Sequence, residues 1–177
     1  NLQLIESMMR LNLQKKGVSP ERLVEELNGR IHSISLIHEQ IYAQESLNSV
    51  RLDNYIGQLQ ASIVGKIHGV VVKGELIPAE IDLDRIVPLG IILNEILTNA
   101  LKYAFPDGRT GRIGISLREE ESRLCLTIED DGAGFDLGAD RDSFGLGLVE
   151  ILAVQLNGET QIESGKGGTR FTLTFPR

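Results

Sequence analysis

The chain has 177 residues, of which 41% are hydrophobic and 24% charged, and its formal net charge is −7. This is the profile of a globular protein with one or two small domains, and the acidic balance argues against a nucleic-acid partner. The single cysteine, Cys125, excludes an internal disulfide and a cysteine-based zinc site. No apolar run reaches the roughly 18 residues of a membrane span, so we expect no direct membrane contact.

Residues 1–47 are predicted to form a helical hairpin. The first helix is apolar on nearly all sides, and Gly17 ends it. Ser19 and Pro20 begin a second helix, in which apolar residues recur at steps of three and four. A lone hairpin cannot bury this seam, so we expect a second copy of the chain to complete a four-helix bundle. The seam residues are Leu27, Ile31, Ile34, His38 and Ile41.

Residues 48–177 are predicted to form an α+β domain. The pattern indicates strands near 50–52, 69–74, 112–117, 123–128, 160–164 and 169–175. It indicates helices from 53 to about 66, from 84 to 101, and from about 144 to 156. We therefore expect an α/β sandwich with one mixed sheet and helices on one face.

The predicted helix 84–101 carries a cluster of polar residues. Glu95, Asn99, Lys102 and Tyr103 follow one another at helical steps that place them on one face. Carboxylate and amide oxygens are hard ligands for Mg²⁺, and a lysine ammonium suits a phosphate. The pattern fits a metal-bound polyphosphate, and a solvated helix face is the alternative.

Three glycine motifs follow in the chain. Asp130 ends a strand and precedes Gly132 and Gly134, so a flat ligand can approach the backbone there. The alternative is an ordinary Asp-Gly turn, which has the same sequence pattern. Gly145-Leu146-Gly147 begins a helix, whose free N–H groups suit an anion. Gly167-Gly168-Thr169 leads into the last strand. Each motif alone is weak, and their common order is the stronger signal.

In this order the motifs resemble an ATP-binding domain. It is the domain shared by sensor histidine kinases, DNA gyrase, heat-shock chaperones of the same fold and mismatch-repair ATPases, and the resemblance covers roughly residues 75–177. Residues 1–5 and 30–42 resemble the dimerisation helices of the histidine-kinase branch related to the HWE kinases.

The resemblance implies a Mg²⁺-ATP site. Asn99 would ligate Mg²⁺, and Glu95 would hold a metal-bound or attacking water or orient the site. Lys102 and Tyr103 would face the phosphates and ribose. Residues 131–144 would form a lid, released by the segment Gly145, Leu146 and Gly147.

The same resemblance assigns the adenine end of the site. Asp130 would read the adenine amino group, and Gly132 and Gly134 would let the base approach. Thr169 would lie behind Asp130 and share its water network.

The resemblance further implies the catalytic core of a two-component sensor histidine kinase. The phosphate-accepting histidine of the branch would lie upstream of Asn1, and His38 is expected to be a core or interface residue because it falls on the apolar seam. Partners would be a second copy, through residues 1–47, and a response-regulator receiver domain. We expect a cytoplasmic protein or the cytoplasmic part of a larger sensor. The alternatives are an ATPase in which Glu95 activates water, or a module that only binds nucleotide.

Overall fold

The computed structural model describes residues 49–63, 69–136 and 144–177, together with Asn28 and Ser35 as single helical residues. The predicted hairpin of residues 1–47, its seam and the boundary at residue 48 otherwise lie outside the described residues. So do residues 137–143 of the predicted lid. Among the described residues, no helix has the length and apolar character needed to cross a membrane.

The strands and helices of the described residues follow the predicted order, with one addition. They are β1 (Ser49–Arg51), α1 (Leu52–Ile63), β2 (Val70–Leu76), β3 (Glu80–Asp82), α2 (Leu83–Asn99), β4 (Gly111–Glu120), β5 (Arg123–Asp130), α3 (Phe144–Gln155), β6 (Glu159–Gly165) and β7 (Gly168–Pro176). A π-helical segment, Ala100–Ala104, continues α2, and a single 3₁₀ turn, Pro106–Gly108, follows it.

Five strands form one mixed sheet in the order β2-β4-β5-β7-β6. β2 runs parallel to β4, whereas the remaining neighbours are antiparallel. This confirms the α+β class and the mixed sheet. The addition is β3, which pairs with β1 as a separate two-stranded antiparallel sheet. Its three residues are too few to show a period of two, so pairing with a distant strand creates it.

The sheet is buried on one face. Alternate residues of its three central strands are almost inaccessible to solvent, as the period of two requires. On the other face, Ser116, Thr127 and Thr172 lie side by side and are partly exposed. The buried side chains join those of α1, α2 and α3 in one core, so the helices cover a single face. The buried sheet residues are Ile113, Ile115, Leu117, Leu124, Leu126, Ile128, Phe171, Leu173 and Phe175.

Candidate functional site

One end of the site is the carboxylate at the end of β5. Asp130 lies opposite Thr169 in the sheet. Its Oδ1 accepts hydrogen bonds from the backbone N–H groups of Gly132, at 2.9 Å, and Thr169, at 3.2 Å. Both bonds use Oδ1, and among the described residues no hydrogen bond to Oδ2 is recorded. Burial raises the pKa of Asp130 above its ordinary value, and the two backbone hydrogen bonds oppose that rise.

The glycines after Asp130 are required by close packing of the chain on itself. A Cβ at Gly132 would overlap Ala104, whose carbonyl accepts a hydrogen bond from the N–H of Ala133 at 2.8 Å. Gly134 has φ +66°, and a Cβ there would overlap the carbonyl of Gly165. These contacts attach the turn to the end of the π segment and to the β6–β7 hairpin. Whether the same glycines also admit a base, as expected, stays a prediction.

The other end of the site lies between α2 and α3. Glu95 is buried, with 8% of its surface exposed, and Asn99 ends α2. Gly145, the second residue of α3, faces both of them. A Cβ on it would lie 3.1 Å from Glu95 Oε2 and 3.7 Å from Asn99 Nδ2. A carboxyl group and an amide therefore lie beside the first described turn of α3, where glycine introduces no side chain between them.

The α-helical spacing used for Lys102 and Tyr103 does not apply. The α-helix ends at Asn99, and the π segment that follows has a wider turn. Lys102 is partly buried and Tyr103 is 53% exposed. Regular α-helical spacing therefore does not describe Lys102 and Tyr103, and their expected roles at the phosphates and ribose stay predictions.

Leu146 is partly buried and packs against the hydrophobic core. Among the described residues outside its own helix, none comes within 4 Å of a would-be Cβ at Gly147, so packing against them does not require glycine there. Among the described residues, no group of three or more His, Cys, Asp or Glu side chains is arranged to hold a metal ion.

Two polar residues at the site were missed by the sequence analysis. Ser164 Oγ lies 2.9 Å from Thr169 Oγ1 and accepts a hydrogen bond from the N–H of Phe135, also at 2.9 Å. The hairpin register places Ser164 opposite Thr169, and that register was the available signal. Arg109 donates a hydrogen bond to the carbonyl of Asp131 at 2.9 Å. No periodicity or motif singles it out.

Two family models match the chain, and together they span most of its length. A family model described as histidine kinase-, DNA gyrase B-, and HSP90-like ATPase matches residues 84–177. A second family model, described as histidine kinase, matches residues 1–67. The first match covers α2 through β7, and so contains every residue of the candidate site.

The similar proteins considered next are named as histidine kinases. The blue-light-activated histidine kinase 2 of Erythrobacter litoralis is 25% identical over 187 residues, which cover 99% of this chain and 54% of the relative. Sensor histidine kinase PdtaS of Mycobacterium tuberculosis is 26% identical over 189 residues, which cover 99% of this chain and 37% of the relative. The chain thus spans about half or less of the length of these relatives.

Solved structures support the fold. The histidine kinase domain of the Erythrobacter litoralis EL346 blue-light activated histidine kinase superposes with a TM-score of 0.82 at 22% identity, over 99% of this chain and 85% of that one. At this identity the superposition shows the fold alone. Together with the family matches, it confirms the resemblance found in the sequence. The chain belongs to the histidine kinase-, DNA gyrase B- and HSP90-like ATPase family, and within that family it groups with the histidine kinases.

Proposed function

We propose that this chain binds Mg²⁺-ATP and is the catalytic core of a two-component sensor histidine kinase. The observation that carries the proposal is the meeting of Glu95, Asn99 and Gly145 at one end of the site, with the partly buried Asp130 at the other. An adenine amino group donates to a carboxylate, and a polyphosphate needs positive potential and backbone donors. In their chemistry, Asp130 therefore suits the adenine end of ATP, and the groups beside Gly145 suit its phosphate end.

The side chains of α2 that face the start of α3 fit a phosphate-bound Mg²⁺. The amide oxygen of Asn99 is a hard ligand, and Glu95 holds a carboxylate beside it with little solvent access. Mg²⁺ usually keeps several waters and is bound through few protein groups together with substrate phosphates. When bound, Mg²⁺ would supply positive charge that offsets the negative charge of the phosphates during transfer. Asn99 would hold it, and Glu95 would orient a metal-bound water or the attacking group.

In the proposed reaction the γ-phosphoryl group passes from ATP to a histidine nitrogen, and ADP leaves. The acceptor is the histidine that the resemblance places upstream of Asn1. From there the phosphoryl group passes to a response-regulator receiver domain. Residues 1–47 would hold two copies together, and the expected setting is the cytoplasm. Support comes from the match of residues 1–67 to the histidine kinase model.

Phosphoryl transfer is tested with γ-labelled ATP and Mg²⁺. The 177-residue chain is compared with a longer version that includes the upstream histidine, and Asn99→Ala in the longer version serves as the control. We expect label on the longer protein alone, stable in base and lost in acid, and none on Asn99→Ala. Label on the short chain would place the acceptor among its own histidines and would contradict the upstream assignment.

The ATPase alternative gives a different result in the same experiment. Steady release of labelled phosphate with no labelled protein, abolished by Glu95→Ala, would contradict the kinase proposal and favour hydrolysis. ATP binding with neither label nor release would favour a module that only binds nucleotide.

A further inference from the structure

A single peptide group links a cation to the carboxylate at the end of β5. The carbonyl of Asp131 accepts a hydrogen bond from Arg109 Nη2 at 2.9 Å. The N–H of the same peptide, which belongs to Gly132, donates to Asp130 Oδ1 at 2.9 Å. Guanidinium, peptide and carboxylate thus form a continuous chain, and hydrogen bonds in such chains polarise and strengthen one another.

The conformation of the loop before β4 places Arg109 next to this peptide. Asp107 and Gly108 both adopt left-handed backbone conformations, with φ of +57° and +75°. The N–H of Arg109 then closes the turn on the carbonyl of Pro106 at 3.1 Å. A non-glycine residue in the left-handed region is uncommon and needs a surrounding structure that holds it. The turn therefore specifies where the Arg109 side chain begins.

Asp131 is held from its other side by β4. Its Oδ1 accepts a hydrogen bond from the N–H of Arg112 at 2.7 Å, and the Arg112 Nε lies 3.9 Å from its Oδ2. Arg112 thus contacts the Asp131 carboxylate, whereas Arg109 contacts the Asp131 carbonyl. This difference separates the effects of the two arginines.

We propose that Arg109 is a positioning residue that fixes the Asp131–Gly132 peptide, and through it Asp130, for selective recognition of adenine. The inference rests on the proposed function, because it concerns how that site reads its base. Rotation of this peptide would break both hydrogen bonds and turn the Asp131 carbonyl toward the Asp130 carboxylate. Arg109 opposes this rotation by binding the carbonyl from outside the site.

The charges around Asp130 also affect the pH at which this residue loses its charge. The Asp131 carboxylate raises the pKa of Asp130 and the Arg109 guanidinium lowers it, while burial contributes the largest rise. Asp130 must be ionised to act as a full acceptor for the adenine amino group. Removal of Arg109 is therefore expected to move the loss of adenine selectivity on acidification to higher pH.

The test compares Arg109→Ala and Arg109→Lys with the matched control Arg112→Ala. Equilibrium titrations with Mg²⁺-ATP and with Mg²⁺-ITP, which carries a carbonyl in place of the amino group, are run from pH 5 to 8. The ratio of the two affinities isolates the base and cancels the titration of the phosphates. We expect Arg109→Ala to lower the preference for ATP about 3- to 10-fold at pH 7, with a shifted pH profile. Arg109→Lys recovers most of the preference, and Arg112→Ala keeps it.

Three results would overturn the inference. The first is that Arg109→Ala and Arg112→Ala show the same preference for ATP and the same pH profile. This would show that the Asp131–Gly132 peptide needs no cation to hold its position. An equal loss of ATP and ITP affinity would show a general structural defect in place of positioning. A wild-type chain that binds neither nucleotide would overturn the proposed function and this inference together, and so is distinguishable from failure of the inference alone.

Discussion

Replacement of Asp130 by asparagine should separate nucleotide recognition from folding. In Asp130→Asn the amide oxygen can keep the two backbone hydrogen bonds, from Gly132 at 2.9 Å and Thr169 at 3.2 Å. The amide nitrogen then takes the place of Oδ2 and presents a donor where the proposal needs an acceptor. ATP loses its bond to a charged group, which contributes about 1.5–3 kcal/mol. This corresponds to a loss of affinity of about 10- to 150-fold.

The folding free energy should change much less. Burial raises the pKa of Asp130, so the native state disfavours its ionised form. A neutral amide removes that penalty while the backbone hydrogen bonds remain. We expect the free energy of unfolding, measured in urea at pH 7, to stay within about 1 kcal/mol of wild type.

The assay is calorimetric titration of wild type and Asp130→Asn with Mg²⁺-ATP and Mg²⁺-ITP. The donor introduced at residue 130 matches the ITP carbonyl, so the preference for ATP should fall or reverse. An ATP affinity within twofold of wild type would refute the assignment of Asp130 to adenine. So would an equal loss for both nucleotides with an unchanged unfolding free energy.

Three further predictions follow from the same geometry. Asn99→Ala should remove about tenfold of the gain in ATP affinity that Mg²⁺ produces in wild type, because a metal ligand is lost; an unchanged Mg²⁺ dependence in titrations would contradict this. Gly134→Ala should lower the free energy of unfolding by about 1–3 kcal/mol, because its φ is +66° and a Cβ would overlap Gly165; a wild-type urea midpoint would argue against that contact. Arg51 holds the pKa of Asp53 below its ordinary value through a hydrogen bond, so this contribution to stability is complete above about pH 4 and is lost as pH falls further. Asp53→Asn should therefore show a shallower decline of unfolding free energy below about pH 4, and a decline as steep as that of wild type would exclude the pair as its source.

The central sheet could be predicted from the sequence because its pattern is local. β4, β5 and β7 alternate buried and solvent-facing residues, and turn residues bound them. β3 escaped prediction because its three residues become a strand only by pairing with β1. The π segment escaped for a related reason. Its last carbonyl, at Ala104, accepts from Ala133, a contact across 29 positions that helical periodicity does not encode.

The candidate site, like the fold, was only partly predictable from the sequence. The sequence singled out Asp130, Asn99 and Glu95 because their residue types and their order along the chain are typical of a metal-nucleotide site. Arg109 did not, because its role depends on which carbonyl its side chain reaches. The reason for glycine at residue 132 was also only partly readable, since the overlap that forbids a Cβ is with Ala104, in another element.

The most direct measurement is a crystal structure of the chain with Mg²⁺ and a non-hydrolysable ATP analogue. The account predicts the adenine amino group within hydrogen-bond distance of Asp130 Oδ2. It predicts Mg²⁺ at about 2.1 Å from the amide oxygen of Asn99, and the phosphates at the N-terminal turn of α3. A nucleotide bound elsewhere, or one whose base does not contact Asp130, would contradict the assignment of the site.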